Sequence, residues 1–127
     1  MMGVLIDTSV WVEHFRHRND RLVSLLELDQ AMSHPMVLVE LACQTPPEPR
    51  VQTLGHIELL RQTQQASLRE VMDFIEREDL YGLGCGLVDM VLLASTLLTP
   101  GAQLWTLDKR LATLATRFGL LHRPSLH

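Results

Sequence analysis

Val4-Leu5-Ile6-Asp7-Thr8-Ser9-Val10-Trp11-Val12-Glu13 is the stretch whose reading decides the fold. Three consecutive apolar residues, Val4 to Ile6, read as a strand buried on both faces, as in a parallel sheet. Asp7 then stands where the strand ends, two hydroxyls follow, and an apolar helical run begins at Val10. Ligands of open parallel α/β sheets bind outside the carboxyl ends of the strands, so Asp7 occupies a position where function is commonly built. A plainer role is also open to it, as the cap of the helix that follows.

Downstream of this stretch, strands and helices alternate. Asn19 or Asp20 caps a second helix, Arg21 to Leu28, with Leu22, Leu25 and Leu26 as its buried stripe. Ala31 to Ser33 reads as a short second strand, and Pro35 opens a third helix. That helix is apolar nearly all round, through Met36, Val37, Val39, Leu41 and Ala42, with one charge, Glu40. A lone carboxylate there is costly unless it is paired or binds a cation. Thr45 to Pro49 reads as a turn, Val51 to Arg61 as a fourth helix, and Gln62 to Ala66 as a polar connection or weak strand. Ser67 and Glu70 form a capping box for a fifth helix carrying Leu68, Val71, Met72 and Ile75. The glycine-rich Gly82 to Gly86 lacks the lysine and the preceding strand of a phosphate loop, and leads into a sixth helix from Leu87 to Leu98. Asp89 lies in its first turn, where the helix dipole alone could account for a carboxylate. Gln103 to Thr106 reads as a further strand. Asp108 follows it and also suits the cap of a last helix, Lys109 to Phe118.

The alternation predicts a three-layer α/β/α sandwich around a short, mostly parallel sheet, as a single domain spanning residues 1–127. An apolar fraction of 46% supports a real core. No apolar run is long enough to span a bilayer, and the N-terminus shows neither a basic lead nor a cleavage site, so neither a membrane span nor a signal peptide is expected. Cys43 and Cys85 lack a disulfide-framework pattern, which points to a reducing cytoplasm. The basic run Arg16, His17, Arg18 and Arg21 reads as a solvated helix end. A formal net charge of -4 is poor for nonspecific nucleic-acid binding, but acids gathered around cations produce the same balance in a nuclease.

Asp7 and Asp108 both follow strands, and Glu40 and Asp89 lie in helices that could flank the same sheet edge. Two like charges about 4 Å apart repel by roughly 4 kcal/mol at an effective dielectric near 20, which divalent cations would offset. Carboxylate oxygens with retained water suit Mg²⁺ or Mn²⁺, and such ions can hold an attacking water and a phosphodiester leaving oxygen.

These blocks resemble the PIN-domain ribonucleases, and within them the VapC-type toxins of toxin–antitoxin systems. The resemblance is carried by Leu5 to Glu13, by Glu40 in its apolar helix, by Tyr81 to Asp89 running into Leu92-Leu93-Ala94-Ser95, and by Leu104-Trp105-Thr106-Leu107-Asp108-Lys109-Arg110-Leu111. It implies a Mg²⁺- or Mn²⁺-dependent RNA endonuclease. Asp7, Glu40, Asp89 and Asp108 match its acidic, metal-holding positions, and Ser9 and Thr106 match accessory hydroxyls. It also implies a homodimer and a cognate VapB-type antitoxin; apolar positions such as Val37, Leu41, Leu54 and Leu60 are expected to provide surface for such partners. Cys85 and the glycines before it depart mildly from the commonest pattern. The rival readings are an aspartyl phosphotransferase, which would want a second Asp where Ser9 stands, a receiver domain, whose spacing does not fit, and a catalytically silent binding module, against which the presence of all the acids argues.

Overall fold

The computed structural model describes residues 2–124. Four strands, β1 (Gly3–Ile6), β2 (Ala31–Ser33), β3 (Arg61–Gln62) and β4 (Ala102–Trp105), form one sheet in the order β3-β2-β1-β4, with every pairing parallel. Seven helices are interleaved among the described residues: α1 (Thr8–Arg16), α2 (Asp20–Glu27), α3 (Pro35–Ala42), α4 (Arg50–Glu58), α5 (Leu68–Glu78), α6 (Leu87–Leu98) and α7 (Lys109–Arg117). The result is the three-layer α/β/α sandwich expected. β1 is buried along its whole length, as a central parallel strand covered on both faces must be.

Chain order fixes where a site belongs. β1, β2 and β3 progress outward on one side, and β4 returns to the other side of β1. The order therefore reverses between β1 and β4, and the crevice beyond their carboxyl ends is the switch point of the sheet. Ile6 pairs with Trp105, and the Asp7 N–H donates to the Trp105 carbonyl at 2.9 Å. Asp7 and Thr106 thus leave neighbouring strands side by side.

α6 is the most deeply placed helix. Met90 to Thr96 are buried without a break, so its apolar run is core, not a stripe. Leu87 is exposed because it belongs to the first turn, at the rim. In α5 the buried face is Val71 and Phe74, while Leu68 and Met72 face outward. Val37 and Leu41 are fully buried, and Leu54 and Leu60 pack partly against the core. The surface expected of these positions for a partner is spent inside the molecule. The described helices include none long and apolar enough to cross a membrane.

A buried polar link ties β2 to α6. His34, 3% exposed, caps α3 by accepting the Met36 N–H on Nδ1 at 3.0 Å. Its Nε2 stands 3.2 Å from the Ser95 hydroxyl, which also accepts the Ala66 N–H. With Nδ1 accepting, neutral His34 carries its proton on Nε2 and donates to Ser95. Burial lowers the His34 pKa below its usual value. Between that lowered value and about 6.5 the unfolded chain binds a proton that the native chain does not, so stability rises with pH there and falls on acidification. Lowered pKa values at His14 and His122, each led by burial, act in the same direction. Urea unfolding at pH 7.5 and 5.5 should show wild type less stable at the lower pH, with a smaller loss in His34→Asn, whose amide can still cap α3. Equal losses in the two proteins would remove His34 from this account.

Candidate active site

Asp7 occupies the cap position of α1 but does not cap it, because its side chain accepts no N–H of that helix. Its Oδ2 instead accepts two hydroxyl hydrogen bonds, from Ser9 and from Thr106, both at 2.7 Å. The direction of those bonds is fixed from behind. The Leu107 N–H donates to Ser9 Oγ and the Asp108 N–H donates to Thr106 Oγ1, each at 3.0 Å. With backbone donors occupying the hydroxyl oxygens, both hydroxyl protons point at Asp7. Bonds of this length to a carboxylate are charge-assisted. Asp7 is 6% exposed, and among the described residues its Oδ1 has no hydrogen-bond partner. The accessory hydroxyls implied by the family pattern therefore hold one oxygen of Asp7, and the other is without a hydrogen bond among the described residues.

Glu40 is the one charge of α3, and its Oε1 accepts the Thr8 hydroxyl at 2.7 Å. The alternative of a salt bridge is not realised: the four ion pairs among the described residues involve Arg18, Arg69, Arg77 and Arg117 with Asp20, Asp73 and Glu78. Thr8 is thus a functional neighbour that reading the sequence passed over. The signal was present, since a β-branched hydroxyl directly follows Asp7, but nothing in the sequence says which helix it reaches.

Asp108 does cap α7, its Oδ1 accepting the Arg110 and Leu111 N–H groups at 2.9 and 3.0 Å. Asp89 lies in the first turn of α6 and accepts the Gly86 N–H at 3.3 Å. The structural roles weighed for these two acids are therefore real. They do not exclude a second role, because a carboxylate has further lone pairs to offer. Burial, more than anything else, raises the Asp89 pKa; the Gly86 N–H opposes that, and the charges of Asp7, Asp108 and Glu40 reinforce it. Asp89 feels all three of the other acids, so the four belong to one electrostatic neighbourhood at the switch point.

The donor set is all oxygen, and among the described residues no Arg or Lys pairs with it, which fits a hard divalent cation. Among the described residues, no three Asp, Glu, His or Cys side chains converge into a ready-made cage. Mg²⁺ needs none, since it keeps several waters and takes one or two carboxylates. A cation there would also relieve the penalty on ionised Asp89.

An all-parallel sheet with acids gathered at its switch point, one of them braced by paired hydroxyls, is the architecture of a PIN-type ribonuclease. Two curated relatives are similar to this chain, each a "Ribonuclease VapC32", one from Mycobacterium tuberculosis strain CDC 1551 / Oshkosh and one from strain ATCC 25618 / H37Rv. Each is 42% identical over 117 residues, covering 92% of this chain and 94% of the relative. No protein-family model matches the chain. The chain belongs to the VapC-type ribonucleases.

Proposed function

We propose that this chain is a Mg²⁺- or Mn²⁺-dependent endoribonuclease and the toxin of a toxin–antitoxin pair. The observation that carries the metal-dependent reading is the state of Asp7 among the described residues: one oxygen held by Ser9 and Thr106, the other without a hydrogen bond, beside acids that no described basic side chain pairs with. Asp7, Glu40, Asp89 and Asp108 would hold the cation, directly or through water. When bound, it would supply Lewis-acid stabilisation of the phosphodiester and a water of lowered pKa. Ser9 and Thr106 fix the angle of Asp7. Thr8 fixes Glu40, and the backbone caps on Asp89 and Asp108 hold those carboxylates still. Rigid placement of this kind matters because preorganised groups need not reorganise as charge develops.

The same reading includes a cytoplasmic location, where the free thiols of Cys43 and Cys85 would persist, and a cognate VapB-type antitoxin bringing an Arg or Lys to the acids. It also includes a homodimer. Among the exposed apolar groups available for it, Val39 and Leu68 line one groove with Met36 and Val91. The test is cleavage of structured RNA with Mg²⁺ or Mn²⁺ and with EDTA, alongside thermal unfolding in the same buffers. Cleavage only with metal, and a higher melting temperature with Mn²⁺ in wild type than in EDTA, are expected. Undiminished cleavage in EDTA would refute the metal-dependent reading.

A further inference from the structure

Arg110 places a guanidinium at the rim of this acidic site, and among the described residues no carboxylate pairs with it. It sits in the first turn of α7, beside Lys109, where the helix dipole disfavours a cation. Asp108 stands two positions earlier, yet the Arg110 side chain does not pair with it; Asp108 Oδ1 is committed to backbone N–H groups. Arg110 takes part in none of the ion pairs among the described residues. Its side chain turns instead towards the loop before α6, where Nη1 donates to the Gly84 carbonyl at 3.4 Å.

That loop is shaped to receive it. Gly84 has φ +87°, and a Cβ built there would lie 2.6 Å from Arg110 Nη1 and 2.9 Å from its Cδ. Glycine adopts that backbone without strain and, lacking a Cβ, lets the Arg110 side chain lie against the turn. Cys85, the next residue, feels the charges of Asp89 and Asp108 together with that of Arg110, so the guanidinium shares the neighbourhood of the acids. One long bond uses one of its five N–H donors, and the residue is exposed.

An acidic site in a chain of net charge -4 repels a polyanionic substrate. A positioned guanidinium beside the acids offers the opposite sign and a fork that matches a phosphate. We propose that Arg110 contacts an RNA backbone phosphate adjacent to the one cleaved, with the Gly84 turn holding the guanidinium in place; this rests on the RNA-cleavage reading above.

The experiment uses the full chain carrying Asp7→Asn to stop cleavage, and a labelled single-stranded RNA of mixed sequence. Fluorescence anisotropy across a KCl series gives the slope of log K against log salt. Adding Arg110→Gln should weaken binding and reduce the magnitude of that slope by about 0.7, the value for one phosphate contact to a single strand. Arg110→Lys, which keeps the charge, should restore the slope. A slope unchanged in Arg110→Gln, or lost equally in Arg110→Lys, would make Arg110 a support of the turn and overturn the assignment. Absence of any salt-dependent RNA binding by the Asp7→Asn parent would instead bring down the RNA reading, and this inference with it.

Discussion

Replacing Asp7 with Asn should reduce RNA cleavage by about 10²–10³-fold or more, the loss typical of removing one preorganised electrostatic group, while leaving the fold nearly intact. The geometry separates the two effects. An Asn carbonyl oxygen can accept the Ser9 and Thr106 hydroxyls that Asp7 Oδ2 now accepts at 2.7 Å, so the brace survives. What disappears is the charge and the second oxygen, and those are what a cation would meet. The mutant also removes one negative charge from the surroundings of Asp89, whose ionised form that charge disfavours. Its melting temperature in EDTA should therefore equal or exceed that of wild type. Asp108→Asn gives a parallel case. Asn caps helices as well as Asp does, so α7 should persist while cleavage falls, whereas Asp108→Ala should cost about 1 kcal/mol in addition. A folded Asp7→Asn protein that cleaves RNA normally would eliminate the acid-centred mechanism.

The parts of this site that could be read from the sequence are those governed by local rules. A three-residue apolar strand ending in Asp7 marks a central parallel strand because such a strand has no polar face, and β1 is buried throughout. α6 runs from Leu87 to Leu98 as expected, because Gly86 precedes it and Pro100 follows it. The capping box of Ser67 and Glu70 is present for the same kind of reason. What the sequence leaves open is direction around a helix. In α3, apolar residues occur on nearly every face, so periodicity cannot say that Val37 and Leu41 turn inward while Val39 faces out. In α5 two stripes are equally regular, one through Leu68, Val71, Met72 and Ile75 and one through Val71, Phe74 and Ile75, and packing on α6 selects the second. The family resemblance singled out the acids and the hydroxyls of Ser9 and Thr106, but which acid those hydroxyls serve was not legible in the sequence. Ser9 and Thr106 are separated by 97 positions, and only the pairing of β1 with β4 brings both onto Asp7.

That pairing makes Thr106 the side chain whose loss should most disturb Asp7 without touching its charge. Thr106 is 6% exposed, and its hydroxyl does two things at once, donating to Asp7 Oδ2 and accepting the Asp108 N–H. Thr106→Val keeps the shape and removes both bonds. A buried carboxylate oxygen and a backbone N–H would each lose a partner, which should cost about 1–3 kcal/mol. Cleavage should fall about 10–100-fold, the range for a group that orients a ligand without being one. Ser9→Ala should do less, because Ser9 is only partly buried and water can replace its hydroxyl. The two hydroxyls share one acceptor and lie 3.4 Å apart, so the double variant should deviate from the sum of the single variants by about 0.5 kcal/mol or more. Thr106→Ser, which retains the hydroxyl, should recover most of both losses, and urea unfolding with cleavage rates across the four variants reads all of this. If Thr106→Val unfolds and cleaves like wild type, Asp7 is held by its backbone alone, and the paired hydroxyls have no part in aiming it.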